Sequence, residues 1–434
     1  LGGAERRLLP LAFPLIAVTL VSLSLTAAWG VLVVWPETPF TLLGGPGPGL
    51  AAIHAVTVGV LVMTVILVVP QILPVITMQD TPSAWVLAPV YLLIGGGLPV
   101  LLEGFLAARM GALAAGAGAI ALGGLLFLGV WAHLLWRARA SGLGDVLLGN
   151  LLALLSLLAV LLLGAALALD YTRAFLPDHQ ALAGAHALLA VQGLMGSLVM
   201  GFSLVLVPML AVATPPSRNE GRPALILHGV SLAVSLLGAI WPDTILSWLG
   251  GAGLLLAAGL HLRIMAKVMK RRLRPRLGPS FWLVRLSWVC WIIGLACAAA
   301  AHLDWLPVEW AGLFLLPGWL LSLLLGLLQR IVPFLASMQS VRLCARPAPL
   351  PRLEPKLPPL ILGVSHGGAL FLLALGMALG LDPLIRGAGL LGMASGMTLL
   401  SLLLTVLARG LSHHRAVGPK RTAKHTAKHK ASQQ

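Results

Sequence analysis

The feature that most limits how this chain can fold is its division into twelve apolar runs. They lie at about 9–34, 50–77, 84–108, 111–136, 146–169, 180–211, 223–241, 244–268, 280–301, 309–337, 358–380 and 384–408. A hydrocarbon core roughly 30 Å thick is crossed by about 20 apolar residues in a helix. In lipid the backbone must satisfy its own polar groups, and a helix does so within one segment. Each run is therefore expected to be a transmembrane helix. The seventh is the shortest, because Pro242 and Asp243 cut it off after about 19 residues.

Composition agrees. The chain is 59% hydrophobic and only 10% charged, with a mean hydropathy of +0.98. A soluble domain of this length would need far more charged surface. The expected fold class is an all-α membrane protein of about twelve transmembrane helices.

Orientation follows from the basic residues. With the N-terminus inside, 25 of the 29 lysines and arginines fall in cytoplasmic segments. These include Arg6 and Arg7, the run from Arg263 to Arg276, Arg330, and the tail from Arg409 to Lys430. The opposite side holds Arg109, Arg173 and Arg386, and Arg285 sits within a helix. The positive-inside rule then places both termini in the cytoplasm of a bacterial-type inner membrane. The net charge of +16 is loop charge facing an anionic leaflet, not a nucleic-acid footprint. The first apolar run is a full span, not the short core of a cleavable signal.

The helices also resemble one another. The second carries Gly59 and continues to Pro74, the sixth carries Gly193 and continues to Pro208, and the tenth carries Gly318 and continues to Pro333. The separation is 15 residues each time, and Gly201 and Gly326 both follow the first glycine by eight. The marked helices are four spans apart, which suggests three pseudo-symmetric four-helix repeats at about 1–140, 141–276 and 277–410. Residues 411–434 are set apart as a basic cytoplasmic tail with no apolar face, expected to be disordered and to meet anionic lipid or an acidic partner. It repeats Thr-Ala-Lys-His at 422–425 and 426–429.

Twelve helices in three arcs, with His54 near the outer end of the second, resemble the catalytic subunit of haem-copper oxidases and nitric oxide reductases. The segment from His54 to Thr64 also looks like part of the NnrS family of haem- and copper-containing membrane proteins. That resemblance implies haem, less readily copper, in respiratory electron transfer or nitric oxide metabolism, and other subunits of a membrane complex as partners. It also exposes departures. The tenth helix has no histidine, the seventh offers only His228, and position 190 is alanine where the family places a tyrosine. A complete dinuclear reaction centre is not expected.

His54 and His186 are the candidate cofactor ligands, five and seven residues before their repeat glycines and at matching depth. A neutral imidazole there can ligate haem iron; each can equally bond a carbonyl on a neighbouring helix. His179 is a weaker metal candidate, because Asp178 marks it as a helix start. His133, His228, His261 and His366 are expected to form interfacial hydrogen bonds, and Gln71, Gln192 and Gln329 to bond between helices. Glu103 is close enough to Arg109 to pair, and Cys290, Cys297 and Cys344 form no metal-binding pattern. Two further readings stay open: a twelve-helix transporter, which would want broken helices and charges at the midplane, and a structural subunit that has lost its cofactors.

Overall fold

The computed structural model describes residues 8–40, 45–241 and 244–419. Twelve helices in it are long and apolar enough to cross a membrane. The first four are α1 (Ala12–Val34), α2 (Pro48–Thr77), α3 (Ala84–Leu106) and α4 (Met110–Ala138). Next come α5 (Gly144–Arg173), α6 (His179–Ala211), α7 (Arg222–Ile240) and α8 (Ile245–Lys270). The last are α9 (Pro279–His302), α10 (Glu309–Leu343), α11 (Leu357–Leu379) and α12 (Asp382–Val417). No strand occurs among the described residues, only two isolated bridges.

The helices carrying the glycine–proline pattern are the most enclosed. In α2, α6 and α10, 56, 78 and 61% of the apolar window is buried, against 28–50% in the other nine. Their prolines, Pro70 and Pro74, Pro208, and Pro317 and Pro333, lie inside continuous helices. Neighbouring helices make such prolines tolerable in a membrane. Around this interior the third and fourth helix of each set of four pack as a close pair: α3 with α4, α7 with α8, α11 with α12. Helix α12 also lies along α1. There Gly392 sits against the Trp29 ring and Gly396 against Thr26, so a side chain at either glycine would collide.

Two boundaries differ most from those expected. Helix α10 runs to Leu343, and α12 continues through residue 411 to Val417. The extension is held by contacts with the connection before α11. Arg409 donates to the Glu354 carbonyl at 2.8 Å, His413 Nε2 to the Arg346 carbonyl at 2.9 Å, and Ala345 N–H to the Gly418 carbonyl at 2.9 Å. The expected tail is thus helical over its first seven residues, 411–417. Its remainder from Lys420, with both Thr-Ala-Lys-His copies, His425 and His429, lies outside the described residues, as do Arg6, Arg7, Pro242 and Asp243.

On the same side as these contacts, the connection before α7 is tied to the end of α8. Ala213 bridges Arg272, Leu273 N–H donates to the Val212 carbonyl at 2.9 Å, and Lys267 bonds Glu220 at 2.9 Å. The Lys267 ammonium, helped by Ser217, holds the Glu220 carboxyl below the usual carboxylate range. A topology prediction follows. A cysteine at Leu273, 80% exposed, should react with a membrane-impermeant maleimide only after cells are opened. One at Trp305, 78% exposed at the other end of the bundle, should react in intact cells. The reverse pattern would overturn the orientation.

Candidate functional site

Helices α2, α6 and α10 each switch from α to π winding in the same place. The π segments are Thr57–Val62, Leu189–Gly196 and Phe314–Leu321, and they contain Gly59, Gly193 and Gly318. A π turn displaces carbonyls from their usual partners and is often found where a helix serves a site. Each glycine faces a small side chain of the preceding helix: Ser24 of α1, Ser156 of α5 and Cys290 of α9. A Cβ on Gly318 would lie 3.0 Å from the Cys290 Cβ, and Gly59 and Gly193 are tighter still. The glycines therefore serve close approach between helices.

In α6 and α10 the residue before that glycine offers its carbonyl to a histidine of the following helix. His228 Nε2 of α7 donates to the Gln192 carbonyl at 2.9 Å. His366 of α11 interacts with the Pro317 carbonyl and sets Nε2 3.0 Å from the Ser322 hydroxyl. Helix α3, which follows α2, has no histidine. Donation from Nε2 leaves Nδ1 as the lone-pair nitrogen. In both His228 and His366 that atom is buried with no hydrogen-bond partner among the described residues. His261 of α8 bonds the Ser203 hydroxyl at 2.9 Å and lies edge-on to Trp291 at 6.1 Å. Trp291 in turn stacks on Trp319 at 4.4 Å.

These three histidines depart from expectation. They are 0–2% exposed and bond between helices in the interior of the bundle, away from its outer surface. The reason is that α7, α8 and α11 turn them towards the serines and π-segment carbonyls of α6 and α10. The fourth histidine of that group, His133, is exposed. Sequence reasoning missed this role because the partners lie 36, 58 and 44 residues away. The glutamines divide. Gln71 accepts from Leu9 N–H at 3.0 Å, whereas the amides of Gln192 and Gln329 are buried with no partner among the described residues.

The two candidate ligands take equivalent places on their helices. His54 and His186 are the seventh and eighth residues of α2 and α6. His54 Nδ1 donates to the Leu50 carbonyl at 2.8 Å, and its ring lies 4.7 Å from Phe105. That bond leaves Nε2 as the nitrogen with a free lone pair, the state in which a histidine ligates. His186 packs against Gly164 of α5, where an added Cβ would meet its Cε1 at 3.0 Å. Its Nδ1 is buried with no hydrogen-bond partner among the described residues.

His179 is engaged elsewhere. Its Nδ1 bonds Asp170 at 2.8 Å, and Asp170 also accepts from the N–H groups of Phe175 and Leu176 at 2.7 Å each. With Asp178 capping the Ala181 N–H at 2.9 Å, this ring fastens the turn between α5 and α6. Glu103 pairs with Arg109 at 2.8 Å. The Cys344 thiol lies 3.6 Å from His414 Nδ1, and burial pushes its pKa up, so it is no ready thiolate. Among the described residues no three or more His, Cys, Asp or Glu gather in a metal-holding group.

The fold defines the class: this is an all-α, multi-pass membrane protein with twelve candidate spans. Comparison with protein-family models finds no match, and comparison with curated proteins finds none either.

Proposed function

We propose that the chain is a haem-copper-oxidase-like integral membrane subunit that binds haem, or less readily copper, through His54 and His186. The observation that carries this reading is a pair of imidazoles at equivalent places on α2 and α6, one with its Nδ1 proton committed to a carbonyl and the other with a buried, unpartnered Nδ1. Bound haem would supply one-electron or gas-binding chemistry. The protein supplies the rest. Leu50 fixes the tautomer and orientation of His54, Phe105 limits the swing of its ring, and Gly164 makes room for His186.

The shared π segments and glycine contacts of α2, α6 and α10 support three four-helix repeats around a pseudo-threefold axis. Helix α10 contributes no histidine, so the subunit acts in electron transfer, gas sensing or nitric oxide metabolism beside other subunits, without a dinuclear reaction centre of its own. A transporter gains less support, because α2, α6 and α10 are rewound but unbroken.

Absorption spectroscopy and metal analysis of the purified protein test the assignment. A haem band is expected in the wild type. His54→Ala should remove or shift it while the protein remains inserted in the membrane. A colourless, metal-free wild type would sink the proposal.

A further inference from the structure

A shallow groove of about 470 Å³ opens on the exposed side of α7, lined by Asn219, Arg222, Pro223, Ile226, Leu227 and Val230. Its lining changes character along its length. Arg222, Ile226 and Val230 are four residues apart and all exposed, so they form one stripe down the helix. At 1.5 Å per residue the stripe runs about 12 Å from a guanidinium into apolar territory. That is the profile of a phospholipid: an ionic head at the membrane boundary and a chain below it.

The head end carries positive charge that is only partly committed. Asp145 stands 3.7 Å from Arg222 Nε, beyond a close ion pair, and its Oδ2 already accepts the Gly221 N–H at 2.9 Å. Nearly half of the Arg222 side chain, 47%, stays exposed. Arg218 is exposed beside it. Arg222 is also the first residue of α7, where the helix dipole favours an anion. A second groove, of about 410 Å³ on α12, has nearly the same size but is lined by Met397, Leu400, Ser401, Leu404, Thr405 and Ala408, with no charge. It offers an acyl chain a surface and a phosphate no cation.

We infer that the α7 groove is a binding site for one anionic phospholipid, with its phosphate on Arg222 and an acyl chain along Ile226, Leu227 and Val230. Arginine suits a phosphate because its planar fork can donate two parallel hydrogen bonds. The site is independent of any cofactor at His54 and His186.

The test uses the full chain, delipidated in a neutral detergent and titrated with short-chain phosphatidylglycerol or with phosphatidylcholine of the same chains. Thermal midpoint and bound lipid by native mass spectrometry are the readouts. Phosphatidylglycerol should raise the midpoint saturably, and phosphatidylcholine should not. Arg222→Gln should weaken the response at least tenfold. Val230→Trp, which fills the apolar arm and leaves the guanidinium intact, should do the same even if Arg222→Gln folds poorly. Equal responses to the two lipids, or undiminished phosphatidylglycerol binding by Val230→Trp, would overturn the inference. So would a shift of the same size with inorganic phosphate alone, which would make the ligand a free anion.

Discussion

Gly149→Val should be among the most destabilising single changes in the bundle. Gly149 of α5 faces Gly201 of α6 backbone to backbone: a Cβ on Gly149 would lie 2.7 Å from the Ser197 carbonyl oxygen and 2.8 Å from the Gly201 Cα. Neither contact is the end of a flexible side chain, so relief requires the helices to move apart. Overpacking a filled interior typically costs about 1–3 kcal/mol. A backbone contact that cannot rotate away belongs at the top of that range. The strain would fall on α6, the most enclosed helix, and reach the π segment that holds Gly193 and the Gln192 carbonyl. Unfolding of the purified protein, by heat or by denaturing detergent, measures the loss. Gly129→Val is the control, because Gly129 of α4 has nothing within 4 Å of its would-be Cβ. Equal midpoints for the two variants would show that α5 and α6 are not held at this glycine pair.

That pair shows how far the sequence carries the fold. The spans were legible because a bilayer imposes length and apolarity on every helix, and eleven polar interruptions leave little choice of boundary. The enclosure of α2, α6 and α10 was foreshadowed by the 15-residue spacing from glycine to proline, since glycines mark where helices come close. The π winding was not legible. It needs one extra residue within a turn, and Thr57–Val62 looks like any apolar helix in composition. Nor were the interior roles of His228, His261 and His366 legible, because each depends on a hydroxyl or carbonyl of another helix. His54 and His186 stood out only through their place relative to the repeat glycines. The packing of His186 against Gly164 of α5 is a tertiary contact that no motif had marked. The end of α12 was hidden for the opposite reason. Its basic, polar composition suggests a free tail, yet Arg409 and His413 find carbonyls at residues 354 and 346.

The same end of the molecule supplies the other large effect. Arg330, grouped by sequence with the loop charges, lies in α10 with its side chain only 20% exposed. It gathers three partners: Nε donates to the Ser280 hydroxyl at 3.1 Å, one terminal nitrogen to Glu354 at 3.1 Å, and the other to the Leu277 carbonyl. One guanidinium therefore ties α10 to the start of α9 and to the connection that also receives Arg409. An exposed ion pair would be worth little, but here most of the donor is shielded and its partners are fixed. Arg330→Met removes the cation and leaves Glu354, 30% exposed, without it. Hydrogen bonds to charged groups contribute about 1.5–3 kcal/mol each, and discounting the partly exposed Glu354 pair leaves two of the three, for an expected total loss of about 3–6 kcal/mol. Arg330→Lys should recover only part of it, because an ammonium is a compact point charge where the guanidinium is a rigid fork reaching three acceptors. Glu354→Gln should cost less than Arg330→Met, since it keeps the Ser280 and Leu277 bonds. Thermal midpoints give the ranking. Limited proteolysis adds an independent reading, because the 344–356 connection should be cut faster in Arg330→Met than in the wild type. A midpoint and a cleavage rate both unchanged by Arg330→Met would mean that Arg330 does not hold this end of the bundle together.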